Sequence, residues 1–141
     1  MTWERTAEAR SSAPPGDVWR VLADGRRWSD WFEDVDWMVP EGDLAPGTIV
    51  TVKPRRMRQT AFHVEAAEPG RVLALIVTFG PAARLRLRWD LRPDGGGTAI
   101  VHTVAVGGPL AALLRTTAAR IAGAMPAALT RLAERAAASA H

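Results

Sequence analysis

Few side chains in this sequence can do chemistry, and His102 is the first to consider. It lies in a strand-like run of alternating apolar residues that ends at Val106. If residues 94–97 form a hairpin turn, Trp89 faces His102 on the apolar side of the hairpin. A neutral imidazole there can donate to or accept from a ligand carbonyl or hydroxyl, or act as a general base. The alternative is a histidine satisfied by a backbone carbonyl or water, with no functional role.

The sequence argues against other kinds of reactive site. It has no cysteine, which excludes disulfides, thiolate metal sites and a thiol nucleophile. The histidines lie on different predicted elements without metal-ligand spacing, so we expect no metal and no cofactor, and His63 is predicted to point outward. No G-x-S-x-G motif occurs, and the glycines at 95–97 join strand to strand, so they offer no helix N-terminus to a phosphate.

Arginine dominates the positive charge of the chain. The alternating arginines within residues 84–92 are typical of the solvated face of a strand, although such a row can also bind phosphates. Because the net charge is only +3 and is spread along the chain, we expect no nucleic-acid partner. Arg115 and Arg120 lie on the predicted last helix, where they can reach a cavity mouth and bind an acidic or enolate group.

The periodicity of apolar residues predicts the elements that position these side chains. An alternating first strand ends near Ser11, and Pro14-Pro15 start a short helix, which is followed by a second helical piece at 26–31. From Val35 the period is two, which predicts strands at residues 35–39, 48–53, 60–67, 72–79, 84–92 and 98–106. Beyond Pro109 the period of 3.6 predicts one long C-terminal helix, of which only residues 136–141 look dispensable.

Four stretches occur in the order found in a known family: residues 13–24, 28–31, 68–73 and 89–98, which read APPGDVWRVLAD, WSDW, EPGRVL and WDLRPDGGGT. They resemble the START-like (helix-grip, SRPBCC) superfamily, in particular its bacterial polyketide cyclase/dehydrase and lipid-transport branch. The resemblance implies an α+β helix-grip fold over a single domain, residues 1–141. In that fold a curved seven-stranded antiparallel sheet wraps around a long C-terminal helix, with two short helices between strands 1 and 2.

The resemblance also implies a cavity between sheet and helix that receives an apolar or amphipathic small molecule. We expect a ligand to lie between Ile121 and Met125 on the helix and Trp89 and His102 on the sheet. His102 is the catalytic candidate, and the predicted ligand-binding residues are Val50, Phe62, Leu75, Leu87, Trp89, Ile100, Val104, Thr117, Arg120, Ile121 and Met125. The apolar members of this set form either a filled core or the wall of a pocket.

Two functions are compatible with this resemblance, because all the matching motifs are structural. One is cyclisation or dehydration of a polyketide-like substrate without metal or cofactor. The other is a non-catalytic carrier, sensor or protein-interaction module. No apolar run approaches the ~20 residues of a spanning helix and no signal-peptide pattern is present, so we expect a cytoplasmic monomer or homodimer without membrane insertion.

Overall fold

The computed structural model describes residues 2–139. Its elements confirm the predicted α+β architecture, with two short helical segments between the first two strands. The strands are β1 (Trp3–Ser11), β2 (Val35–Pro40), β3 (Ile49–Pro54), β4 (Thr60–Glu68), β5 (Val72–Phe79), β6 (Ala83–Asp94) and β7 (Gly97–Gly107). The helices are α1 (Pro15–Ala23), a 3₁₀ segment (Gly25–Asp30), a 3₁₀ turn (Ala111–Leu114) and α2 (Arg115–Ser139).

The sheet is antiparallel and has the strand order β1-β7-β6-β5-β4-β3-β2, so β1 and β2 are its edges. It curls into a half-barrel, and α2 lies against its β1 and β7 side. The predicted pairing of the β6–β7 hairpin is confirmed, since Trp89 pairs with His102 and Leu87 with Val104. Odd residues of β6 and even residues of β7 therefore share the concave face.

The 3₁₀ segment is tied firmly to its neighbours. The indole Nε1 of Trp28 donates to the carbonyl oxygen of Leu22 at 2.9 Å, which joins this segment to α1. Gly25 sits so close to the Met38 carbonyl that a Cβ atom there would overlap it. These contacts fix the direction in which the segment projects its aromatic rings into the half-barrel.

Helix α2 is anchored by an apolar stripe and by a bond from the first strand. Its buried residues are Ala118, Met125, Ala128, Leu129, Leu132, Ala133 and Ala136. The hydroxyl of Ser11 donates to the Ala133 carbonyl at 2.8 Å and accepts from the N–H of Ala13 at 3.1 Å. The expectation that residues 136–141 are dispensable is wrong at its start, because Ala136 is fully buried. Ala140 and His141 lie outside the described residues.

The convex face carries the charged residues, as the alternation predicted. Arg86 forms a two-pronged ion pair with Glu65, at 2.6 and 2.8 Å. Hydrogen bonding from Arg86 lowers the pKa of Glu65. Arg88 pairs with Asp90, and His63 is exposed as predicted. This arginine row is thus the solvated face of the strand, with its central members paired to carboxylates.

Candidate functional site

His102 lies at the centre of the concave face and is completely buried. Its ring stacks on Trp89, with centroids 4.1 Å apart and an angle of 24° between the planes. The ring of Phe32 meets it edge-on at 6.2 Å. Both neighbours follow from local structure: Trp89 is the cross-strand partner of His102, and Phe32 follows the 3₁₀ segment. The imidazole is held between two aromatic surfaces.

An aromatic cluster fills the half-barrel in front of this imidazole. Trp28 and Trp31 contact Trp89 with centroid separations of 5.2 and 6.3 Å, and they lie 5.4 Å from each other. Phe32 completes the cluster at 5.5 Å from Trp31. The predicted ligand-binding set omitted Trp28 and Trp31. Their spacing of three residues in the helical piece predicted at 26–31, which puts both on one face, was the available signal.

Four nitrogen atoms in this apolar centre have no hydrogen-bond partner among the described residues. They are Nδ1 and Nε2 of His102 and the indole Nε1 atoms of Trp31 and Trp89. A buried donor or acceptor left unpaired costs about 1–3 kcal/mol, so each such atom in a native fold calls for an explanation. Together they offer indole donors and an imidazole donor and acceptor to a guest molecule carrying oxygen.

Burial also determines the protonation state of His102. Loss of hydration disfavours the charged imidazolium and lowers the pKa of His102 to about 3. The ring is therefore neutral at physiological pH and a weak base. Asp90, the nearest carboxylate along β6, belongs to the convex face and cannot assist it. The site is suited to hydrogen bonding of a carbonyl or hydroxyl more than to proton abstraction.

A groove of about 600 Å³ lies between the edge strand β1 and the first half of α2. Ala7 lines it, and Ala7 is the cross-strand neighbour of His102 in β7. Met125, which is 1% exposed, lines it from the helix side. Arg5 and Arg115 supply positive charge. The other lining residues are Trp3, Thr6, Thr116, Ala119, Ala122, Gly123 and Pro126. The groove thus passes one strand away from the buried imidazole.

The structure places the predicted site residues in three environments. Arg120 is exposed, and Thr117 and Ile121 are half-buried on α2. Of the predicted set, Met125 is the member that lines the groove. The remaining residues are buried on the concave face: Val50, Phe62, Leu75, Leu87, Trp89, Ile100, Val104 and His102. The groove residues Arg5 and Ala7 were absent from the prediction, although the alternation of β1 already placed them on one face.

Within residues 2–139 no group of three or more histidine, aspartate and glutamate side chains is placed to hold a metal ion. None of the helices in these residues is long and apolar enough to cross a membrane.

A curled antiparallel sheet around a long C-terminal helix, with an aromatic interior and a lateral groove between β1 and that helix, defines a helix-grip protein of the SRPBCC type. The chain belongs to the polyketide cyclase/dehydrase and lipid transport family, whose model matches residues 2–137. Family and fold are consistent with binding of a hydrophobic ligand. A search of curated proteins finds no match.

Solved structures with the same fold cover nearly the whole chain. TTHA0849 from Thermus thermophilus has a TM-score of 0.70 and 20% identity, covering 99% of this chain and 100% of its own. Protein MLL2253 from Mesorhizobium loti has a TM-score of 0.71 and 20% identity over 94% of this chain and 96% of its own. The Zhui aromatase/cyclase from Streptomyces sp. R1128 has a TM-score of 0.68 and 18% identity over 96% and 94%. At these identities the likeness concerns the fold.

Proposed function

We propose that the protein binds a small hydrophobic molecule carrying a carbonyl or hydroxyl group, in the groove and the aromatic interior behind it. The observation that carries this proposal is the set of unpaired nitrogens on Trp31, Trp89 and His102. An apolar core has no need of them, and an indole or imidazole without a partner lowers stability. A ligand oxygen that hydrogen-bonds to these nitrogens would remove the cost of leaving them unpaired, and this gain would contribute to binding affinity.

Entry through the groove requires a movable wall, and Met125 meets that requirement. Its side chain is unbranched and adapts easily to new neighbours. It lines the groove while being buried, so it stands between the groove and the interior. Moving it, together with the ring of Phe32 that meets the imidazole edge-on, would let the end of the ligand that carries the carbonyl or hydroxyl reach Trp89 and His102. Arg5 and Arg115 at the groove then favour a ligand whose outer end is acidic or enolic.

Cyclisation or dehydration of a polyketide-like substrate is the second candidate function. It is favoured by the family description and by the fold shared with the Zhui aromatase/cyclase. In this case the aromatic walls would hold a poly-carbonyl chain in one conformer and exclude water, and His102 would donate a hydrogen bond to an enolising carbonyl. Because its low pKa makes His102 a weak base, positioning would supply most of the rate.

The binding proposal is tested by titrating the purified protein with 8-anilinonaphthalene-1-sulfonate, a fluorescent probe with an aromatic body and an acidic group. We expect saturable binding to the wild type. Ala119 is exposed and lines the groove, so Ala119→Trp narrows the groove without touching the core. This variant should weaken binding at least about tenfold, since an oversized side chain in a packed site costs about 1–3 kcal/mol. Met125→Trp blocks the inner wall and should weaken binding further.

The matched control is Ala127→Trp, which adds the same indole to an exposed position of α2 that does not line the groove. It should bind the probe as the wild type does. Equal affinity in the wild type, Ala119→Trp and Met125→Trp proteins, all folded by circular dichroism, would place the ligand elsewhere. Turnover of a bound substrate by the wild type separates the two functions. Unchanged turnover in His102→Leu would then remove His102 from the reaction.

A further inference from the structure

One end of the molecule gathers its most exposed large apolar side chains. In residues 2–139 these are Met57, Phe79, Leu110 and Leu113, with 49%, 49%, 50% and 75% of their surface accessible. Single exposed apolar residues need no explanation, but a contiguous group marks an interaction site. The ligand site does not account for them, because none of the four lines the groove.

Strand pairing shows that the four side chains share one rim of the half-barrel. Phe79 pairs with Ala83 across the β5–β6 hairpin, and the N–H of Leu110 donates to the Ala82 carbonyl at 2.8 Å. The β4–β5 register, continued from its pairing of His63 with Ile76, places the start of β4 beside Phe79. Met57 precedes that strand by three residues. We call residues 55–59, 79–84 and 107–116 the arginine rim.

The charge of the arginine rim has a single sign. It contains Arg55, Arg56, Arg58, Arg84 and Arg115 and no aspartate or glutamate, and carboxylates adjoin it at Arg55, where Glu33, Asp34 and Asp36 lie. Arg55 is partly engaged, since it donates to the backbone carbonyl of Glu33 at 3.4 Å. The other four form no ion pair with a described residue. Arg115 also lines the groove, so Arg56, Arg58 and Arg84 are the arginines that belong to the arginine rim alone. Elsewhere on the surface, arginines such as Arg86 and Arg88 are paired with carboxylates, whereas Arg5, Arg26, Arg27, Arg92 and Arg120 form no ion pair with a described residue either. What sets the arginine rim apart is that its unpaired arginines lie among exposed apolar side chains.

We propose that the arginine rim docks on an anionic lipid bilayer, with Leu110, Leu113, Phe79 and Met57 entering the interface and the arginines contacting lipid headgroups. An anionic bilayer binds a protein surface on which apolar side chains lie among unpaired cations. Burial of the apolar side chains in the interface and attraction of the cations to anionic headgroups both favour the bound state. The contact involves side chains at loop tips, so it requires no helix to cross the bilayer. The argument does not depend on the proposed ligand.

Charge complementarity selects this occupant over two others. A second copy of the chain, docked rim to rim, would bring arginines against arginines, because the rim residues themselves include no aspartate or glutamate. A soluble polyanion such as a nucleic acid would satisfy the arginines but leave Leu113, which is 75% exposed, without a partner. A bilayer with anionic lipids satisfies both sets of groups.

The test is cosedimentation of the full chain with lipid vesicles. We expect binding to vesicles of phosphatidylcholine mixed with phosphatidylglycerol, weakened by salt, and no binding to phosphatidylcholine alone. Each arginine near an anionic surface raises partitioning roughly fivefold, so Arg56→Glu/Arg58→Glu should reduce it by about 25-fold or more. Leu110→Ser/Leu113→Ser, at positions at least half exposed, should reduce it by about tenfold without unfolding the protein.

The control for charge is Arg71→Glu/Arg92→Glu, which makes the same change at the opposite end of the sheet, where the Arg71 carbonyl accepts from the Leu91 N–H. It should bind the mixed vesicles as the wild type does. If this control loses as much vesicle binding as Arg56→Glu/Arg58→Glu, the binding depends only on the net charge of the protein and the proposal is overturned. The proposal also fails if Leu110→Ser/Leu113→Ser leaves vesicle binding unchanged and the wild type binds heparin as well as it binds the mixed vesicles. That result would define the arginine rim as a general polyanion-binding surface.

Discussion

Acid should destabilise this protein through the buried imidazole of His102. The folded state holds the pKa of His102 at about 3, whereas an exposed histidine in the unfolded chain titrates near 6.5. The unfolded state therefore binds the extra proton first as the pH falls. The stability contributed by neutral His102 is complete above about pH 6.5 and is lost progressively between about pH 6.5 and 3. Between pH 7 and pH 5 the loss is about 2 kcal/mol.

Urea unfolding at pH 7, 6 and 5 at constant ionic strength measures this loss. The range from pH 7 to pH 5 excludes the effect of Glu65, because the pKa of this carboxyl is lowered and its contribution to stability is lost only under more acidic conditions. In the His102→Leu variant about 2 kcal/mol of the pH dependence should disappear. His63→Gln is the matched control, since it removes an exposed imidazole from the convex face, and it should retain the wild-type slope. Identical slopes in the wild type and His102→Leu would mean that the imidazole is hydrated or charged in the folded state, and the description of the interior would be wrong.

Two further predictions concern the contacts that hold the site in place. Ser11→Ala leaves the Ala133 carbonyl and the Ala13 N–H without their buried partner and should cost about 2 kcal/mol in a thermal or urea unfolding measurement, whereas the exposed Ser12→Ala should cost far less. A free energy of unfolding for Ser11→Ala equal to that of the wild type would contradict the anchoring of α2 to β1. Gly25→Ala forces a Cβ atom into the Met38 carbonyl and should lower stability by more than about 2 kcal/mol, whereas Gly16→Ala, which meets nothing within 4 Å inside α1, should be neutral or stabilising. Equal stability of the two glycine variants would contradict the close approach at Gly25.

Local periodicity was enough to predict the strands. The alternation in residues 84–92 and the glycine turn favoured the observed hairpin register, but they left open a slip by one residue that would place Ala99, Val101 and Thr103 on the apolar side. The pairing of Trp89 with His102 in the structure decides between the two. The direction of His102 follows from that register. The fold class followed from the order of the motifs, each of which starts a helix, packs a tryptophan or turns a hairpin.

The contents of the half-barrel could not be predicted in the same way. Whether Trp28, Trp31 and Phe32 fill the space in front of Trp89 depends on the angle at which the 3₁₀ segment leaves α1, a tertiary property set by contacts such as Trp28 to Leu22. The groove arises where α2 lies against β1, and sequence periodicity says nothing about which sheet edge a helix meets. Hence the positions of Arg5 and Ala7 in the groove were not predicted, and Met125 was proposed as a ligand contact only from its place on the helix stripe.

The most direct test of ligand binding in the interior is the nuclear magnetic resonance spectrum of the indole N–H groups during titration with 8-anilinonaphthalene-1-sulfonate. The chain has six tryptophans, and four of them report on three separate regions. Trp3 lines the groove, Trp31 and Trp89 carry the unpaired donors, and Trp37 lies on β2, away from both. We predict that the indole N–H resonances of Trp3, Trp31 and Trp89 shift together and saturate with one dissociation constant, while the Trp37 resonance does not shift. A shift of Trp3 alone would confine the ligand to the surface groove and contradict the proposed role of the buried nitrogens.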